Sequence, residues 1–306
     1  MAMRLQTVYE FLVTYFWAIA AIALVVVVLI GTGIFNRNAL EARVPPGGCD
    51  ISRPYGPGTV QGMNLVGACQ GELPQFVLTS RGPGDYVNVV RSGSPQSLLN
   101  ITNTLTVTVW VFITGTPFHD IVDKEYQYGM KIDINNKPHA CSPSNNKGFC
   151  LEWDTNCSWI GEGAPIPNAK YGHWMFLAAS VDGKNKYWYA NGSLIGTQST
   201  GCYMKSLHST VTIAAITPGW SGYGEAEWFN GSIANVQIYN RTLTANDIHA
   251  LYLEGIGGAP IDLKHIAGWW PLNGDAKDYS GNNNTGYIYN QSFYGDKSWQ
   301  TNYSVP

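Results

Sequence analysis

Glu225 and Glu227 stand on alternate residues of GYGEAEWFNG, and a carboxylate pair sharing one strand face is the least that glycoside hydrolysis needs. Nothing joins them. The sequence carries no Ser-His-Asp set and no phosphate-cradling Gly loop, and His119, His139, His173, His208, His249 and His265 are scattered without metal-ligand spacing. The glutamates therefore read as surface carboxylates, and the chain as a non-enzyme. Two other sets could do chemistry of a milder kind. Asp275, Asp278 and Asn282 place oxygen donors in a turn-rich loop, the ligand type that calcium takes, although such residues make Asx turns just as readily. Trp220 and Tyr223, in Trp220-Ser221-Gly222-Tyr223, could stack on sugar rings.

Cysteines and glycosylation acceptors speak for compartment. Cys49, Cys69, Cys141, Cys150, Cys157 and Cys202 are even in number and include no CxxC pair, which favours disulfides over zinc. Fifteen pairings are open; proximity suggests Cys49–Cys69 and Cys141–Cys150, leaving Cys157–Cys202. Asn-x-Ser/Thr acceptors occur at Asn100, Asn156, Asn191, Asn230, Asn240, Asn283, Asn290 and Asn302. Both features place the bulk of the chain outside the cell.

These groups must be carried by something, and the first carrier is Phe11 to Phe35, which holds no Asp, Glu, Lys, Arg or His. As a helix it would be about 37 Å long at about 1.5 Å per residue, enough to cross a hydrocarbon core. Glu10 stands at its mouth, where a carboxylate is costly unless solvated or paired but is favoured by a helix N-terminus. Arg4 on the amino-terminal side fits an inside start. The run is longer than a conventional secretory h-region, and Gly31-Thr32-Gly33 is the small-x-small candidate at its far end. Charged residues are 13% of the 306, the net charge is −3, and no Lys/Arg block exists, so nucleic acid has no electrostatic purchase.

Gln6 to Ile19, QTVYEFLVTYFWAI, resembles the start of archaeal type IV pilin-like proteins: a Gln, a Glu four residues on, then an apolar helix. The resemblance covers about 30 residues. It implies cleavage before Gln6, Glu10 at the fifth mature position, Gln6 and Glu10 as polymerisation and register residues, membrane insertion before assembly, and copies of the chain as partners. Leu5 stands where that family has Gly or Ala, and the basic leader is reduced to Arg4.

Residues 37–62 read as a linker, in which Pro45-Pro46-Gly47-Gly48 and Pro54-Tyr55-Gly56-Pro57-Gly58 admit neither regular helix nor central strand, while a short helical extension over 38–44 can precede Pro45. Beyond it the pattern is β. Leu105–Ile113 alternates Thr with bulky apolar residues, the period of a strand with one buried face. Further strands are expected at 75–79, 85–90, 128–134, 148–153, 174–180, 186–190, 210–216 and 231–239. Asp182-Gly183 and Asn191-Gly192 supply hairpin turns. One helix is expected, 244–254, capped by Thr244 with Asp247 three residues on and ended by Gly255.

FVLTSRGPGDYVNVV through TVTVWVFI, and WFNGSIANVQIYNRTLTANDIHALYLEG, are similar to the LamG-like, concanavalin A-like jelly roll. The family's closing strand has an Asp where this chain has Ala234. The resemblance implies a β-sandwich over 63–306, following a leader and helix over 1–36. That fold hosts lectins, adhesion modules and hydrolases alike, so it leaves the ligand open; surface glycans are the expected ligand class. In related jelly rolls the loop holding Asp275, Asp278 and Asn282 can bind Ca2+. That loop and the strand before it, GWWPLNGDAKDYSGNNN, look like the family's opening strand, yet here they come last. Either the segment closes its own domain, a circular permutation that close-lying termini permit, or it completes a neighbour's sheet. Protection of sheet edges favours the first. The expectation is a cell-surface filament subunit displaying an adhesive jelly roll, with a membrane-anchored monomeric lectin as the alternative and a glycan hydrolase as the third.

Overall fold

The structure is a computed structural model that describes residues 13, 15–25, 49–52, 64–67, 74, 76–82, 84–90, 94, 97–115, 119–124, 127–134, 149–155, 163–199, 204, 208–216, 228–289 and 299–300. The chain divides into two compact units, residues 1–51 with 65–71, and residues 52–64 with 72–306. Residue 13 and residues 15–25 are helical; the rest of the apolar run from Phe11 to Phe35, with Gln6 and Glu10, lies outside the described residues. Among the described residues no helix is long and apolar enough to cross a membrane. β1, Cys49–Ser52, and β2, Asn64–Gly67, form a two-stranded sheet.

The second unit holds two antiparallel sheets. One runs in the order β12 (Ser193–Ser199), β11 (Asn185–Ala190), β10 (Trp174–Val181), β5 (Leu105–Ile113), β14 (Asn230–Tyr239), β3 (Val77–Arg81), β17 (Trp299–Gln300), with β15 (Ile266–Trp270) also on β14. The other runs β16 (Tyr287–Tyr289), β4 (Tyr86–Val89), β13 (Val211–Ile213), β6 (His119–Lys124), β7 (Tyr128–Ile134), β8 (Phe149–Thr155), β9 (Gly163–Pro165). We call them the eight-stranded and seven-stranded sheets.

Alternation explains the layers. On β5 the odd residues Leu105, Val107, Val109, Val111 and Ile113 enter the core between the sheets. They meet Val87 and Val89 of β4, Ile121 and Val122 of β6, Tyr128, Met130 and Ile132 of β7, and Val211 and Ile213 of β13. Each fully buried side chain of this size contributes about 1.5–3 kcal/mol. Trp110 of β5, with Trp174 and Phe176 of β10, turns the other way into a second apolar layer that includes Ile248 and Leu251 of helix α1, Ala245–Glu254. The eight-stranded sheet is thus covered on both faces, which is why β10 is buried along its whole length.

The turns obey their residues. Asn191 (φ 47°) and Gly192 (φ 75°) both adopt the left-handed region in the two-residue loop that registers Ala190 against Ser193, as a primed hairpin turn requires. Across the preceding turn the Asp182 carboxylate accepts from the backbone N–H of Lys184 and Asn185 and from the Tyr187 hydroxyl. Partial burial works against its ionisation, but those bonds win and hold its pKa at about 2.

β14 changes partner midway. Residues 230–233 pair with β3 and residues 236–239 with β15, around an irregularity between Ala234 and Gln237. Asn235 sits at φ 51° there. Its amide donates to Gly258 O (2.7 Å) and accepts from Gln237 Nε2 (3.0 Å) and the Trp269 indole N–H (2.9 Å). These buried bonds fasten the 255–265 loop and satisfy groups that would cost about 1–3 kcal/mol each if left unmade. Gly231, at φ 151°, passes so close to β5 that a Cβ would lie 2.0 Å from Phe112 O.

The expected strands are present with ends shifted by a few residues, and Leu105–Ile113 and Tyr128–Ile134 coincide with β5 and β7. β6 is not legible as a strand because HDIVDK puts Asp120, Asp123 and Lys124 where apolar alternation is sought, and all three are buried. The segment resembling an opening strand forms β15 on β14 of its own chain.

Candidate functional site

Most residues singled out from the sequence for chemistry fall outside the described residues: Trp220, Tyr223, Glu225, Glu227, Cys69, Cys141, Cys157, Cys202, Asn156, Asn290 and Asn302. Cys49 and Cys150 are described as strand residues of β1 and β8. Asn100, Asn191, Asn230, Asn240 and Asn283 are in place, as are Asp275, Asp278 and Asn282.

The Asp275–Asn282 loop is held by its own chain. One Asp278 oxygen accepts from the backbone N–H of Trp269 (3.1 Å) and Ser280 (2.9 Å), the other from that of Asn284 (2.7 Å). Asp275 accepts from the backbone N–H of Lys277 and from the Tyr279 hydroxyl. Asn282 turns its amide nitrogen to the carbonyls of Ile266 and Ala267. Both carboxylates accept from neutral donors of their own chain, and Asp278 is buried. Among the described residues no group of three or more His, Cys, Asp or Glu could hold a metal ion. Asp278 and Asn282 are thus engaged in holding the loop to β15.

A different surface gathers polar and aromatic groups. On the seven-stranded sheet Val87, Val89, Val122, Met130, Val211 and Ile213 face the core, so their neighbours face outward. Strand register then aligns Tyr287, Asn88, Thr212, Asp123 and Gly129 in one row across β16, β4, β13, β6 and β7. At about 4.8 Å per strand that row spans about 19 Å. One step along, Tyr289 is registered with Tyr86. Their rings stack at 4.7 Å and 5°, and Trp228 lies 6.2 Å from Tyr86.

The row grades from open to closed. At the β16 end Tyr287 is 62% and Tyr289 42% exposed; toward the centre Asp123 is 6% and Thr212 0% exposed. Asn88 lies between, its Oδ1 buried and without a hydrogen-bond partner. An amide oxygen so placed leaves about 1–3 kcal/mol of bonding unmade. Burial, and then the neighbouring Tyr289, push the Tyr86 phenol up, so it stays neutral and able to donate at physiological pH. A shallow surface depression lies beside the stack, lined by Thr79, Ser80, Asp85, Tyr86, Ile288 and Tyr289 among others.

Charge enters from β6. A bulge between Asp120 and Val122 puts both Ile121 and Val122 into the core and so brings Asp120 and Asp123 to the same outer face. Without Cβ, Gly129 leaves room for the Asp123 carboxylate, whose Oδ1 lies 2.9 Å from where a Cβ would stand. Lys124, next along, is fully buried and donates to Ser209 O. Its ammonium is lowered to about 8 by burial, which outweighs the opposing pull of Asp123. Sequence reasoning missed this face entirely; an Asp-x-x-Asp on a short Ile-Val run is its only local trace.

Residues 81–249 match the family model described as the concanavalin A-like lectin/glucanases superfamily. Among solved structures, a candidate carbohydrate-binding protein from Bacteroides ovatus is similar with a TM-score of 0.51 and 14% identity over 71% of this chain and 57% of that one. A heptameric SAP-like pentraxin from Limulus polyphemus has a TM-score of 0.44 and 18% identity over 58% of this chain and 81% of its own. The CBM40 of the Ruminococcus gnavus IT-sialidase, bound to α2,3-sialyllactose, has a TM-score of 0.40 and 17% identity over 57% of this chain and 98% of its own. No curated protein matches. Matched over more than half of its length, the chain belongs to the concanavalin A-like lectin/glucanases superfamily.

Proposed function

We propose that this is a non-enzymatic, glycan-binding surface protein that works outside the cell. The observation that carries this reading is the open end of the row, where exposed Tyr287 and half-buried Asn88 stand beside the Tyr86–Tyr289 stack. Exposed aromatic faces cover the apolar face of a sugar ring, and a few placed amide, hydroxyl and carboxylate groups read its hydroxyls. Asn88, whose amide oxygen the chain leaves unbonded, is the residue we assign to a sugar hydroxyl. The carbohydrate binding ascribed to the Bacteroides protein supports the choice of ligand class.

The test is a glycan array probed with the full chain, followed by affinity for the best hit. Tyr289→Ala and Asn88→Ala should each weaken binding about tenfold, a loss of about 1.4 kcal/mol, without lowering the melting temperature. Binding that survives both substitutions, or no binding to any glycan, would reject the site. Release of reducing sugar from a bound glycan would reject the non-enzymatic reading and turn attention to Asp120 and Asp123.

The same proposal extends to assembly: copies of the chain associate through the N-terminal apolar segment into a cell-surface filament that displays the sandwich. Its support is the helical stretch 15–25, where Phe16, Trp17, Ile19, Ile22 and Leu24 are each 64–67% exposed. A helix apolar on every side needs lipid or other helices around it. In this reading Gln6 and Glu10 set the register, and segment 266–289 is the family's opening strand moved to the end. Filaments seen by electron microscopy, with an N-terminus beginning at Gln6, are the expected result; only detergent-soluble monomers retaining Met1 would favour a membrane anchor instead.

A further inference from the structure

Five Asn-x-Ser/Thr acceptors are described, and the fold sorts them into two kinds. Asn191, Asn240 and Asn283 are exposed, whereas Asn100 and Asn230 are half-buried. Asn191 lies in the hairpin turn at φ 47° and accepts from Phe176 N–H through Oδ1 (3.0 Å), which turns its Nδ2 outward. Asn283 lies at φ 57° between β15 and β16. Asn240 follows β14, anchored by its backbone N–H to His265 O (2.9 Å). The Nδ2 atoms of these three make no hydrogen bond among the described residues. By contrast Asn100 donates its Nδ2 to Ser94 O (2.8 Å) and has a buried Oδ1. Asn230 accepts from the Thr114 hydroxyl, and its Nδ2 packs 2.3 Å from where a Cβ on Gly115 would stand.

We infer that Asn191, Asn240 and Asn283 carry N-linked glycans in the folded protein and that Asn100 and Asn230 do not. In the transfer, Nδ2 attacks the anomeric carbon of a lipid-phosphate- or lipid-pyrophosphate-linked oligosaccharide. The C–N bond forms, the sugar–phosphate bond breaks, the phosphate leaves on the lipid, and the amide proton passes to the transferase base. An Nδ2 that donates within the fold, as at Asn100, or is packed against the chain, as beside Gly115 at Asn230, is not available for that attack. The inference rests on the extracellular reading above. None of the three open acceptors stands on a strand of the seven-stranded sheet.

The experiment is peptide-level mass mapping of the full chain taken from its native cell surface, with protease shaving of intact cells as a separate measure of exposure. Glycan mass should appear on the peptides of Asn191, Asn240 and Asn283, with Asn100 and Asn230 bare. N191D, N240D and N283D, which keep the oxygen and the turn, should each remove one glycan increment. A protein that is shaved from cells yet bare at the three open sites, or modified at Asn100 or Asn230, overturns the inference and leaves the extracellular reading standing. A protein that resists shaving removes the extracellular reading itself.

Discussion

Lys124 shows what a single buried charge does to this molecule. Its ammonium donates to Ser209 O and feels Asp123, but burial dominates and lowers its pKa from 10.5 to about 8. A cation easier to deprotonate when folded means that the unfolded chain binds more protons between those two values. Stability should therefore rise with pH from about 8 toward 10.5 and stay flat below. The window closes from above near pH 10, where Tyr128 and Tyr239, held neutral by burial, begin to ionise only in the unfolded chain. Melting temperatures between pH 7 and 9.5 check this: the wild type should climb above pH 8, and Lys124→Met should run level. A wild-type profile that falls over this range would mean that the ammonium is not sequestered.

Helix α1 is the element that seals the outer layer of the eight-stranded sheet, and its start is fastened twice. Thr244 Oγ1 accepts from Asp247 N–H while the Asp247 carboxylate accepts from Thr244 N–H. Arg241 then forks between Asp247 (2.8 Å) and Asp262 (2.6 Å). Burial opposes ionisation of Asp262, but His265 and Arg241 overcome it and hold that carboxyl low. Thr244→Ala should cost about 1 kcal/mol, the usual loss of an N-cap. Urea denaturation followed by far-ultraviolet circular dichroism would measure it as a lower midpoint with an unchanged slope. The capping residues were legible because Thr, Asp and the following apolar residues are neighbours in sequence. The partner of Arg241 at Asp262 was not, because it depends on where the 255–265 loop returns.

At the scale of the whole molecule, the C-terminal segment closes both sheets. β16 lies on β4 at one edge, and β17 lies on β3 at an edge of the other. Removing residues 287–306 would bare the hydrogen-bonding edges of β3 and β4, and open edges recruit strands from other chains. The shortened protein should lose its soluble species on size exclusion and bind an amyloid-sensitive dye, while the full chain does not. A soluble, well-folded truncation would show that these edges need no cover.

Local order in the chain was enough to determine the β class, the strands with clean alternation, the two hairpin turns and the capped helix, since each depends on residues within a few positions. It also determined that an uncharged apolar stretch precedes the β region. Only the tertiary structure decided that HDIVDK is a central strand, because three buried charges break its apolar alternation and its pairing with β13 and β7 is made only in the fold. It alone assembled Asn88, Asp123, Thr212 and Tyr287 into a row, since these residues lie far apart in sequence and meet only through strand register. It likewise gave Asp278 a structural role that spacing does not reveal: backbone N–H groups of Trp269, Ser280 and Asn284 converge on it once the loop folds back on β15. A carboxylate's chemistry depends on which donors reach it, and which donors arrive is settled by the fold.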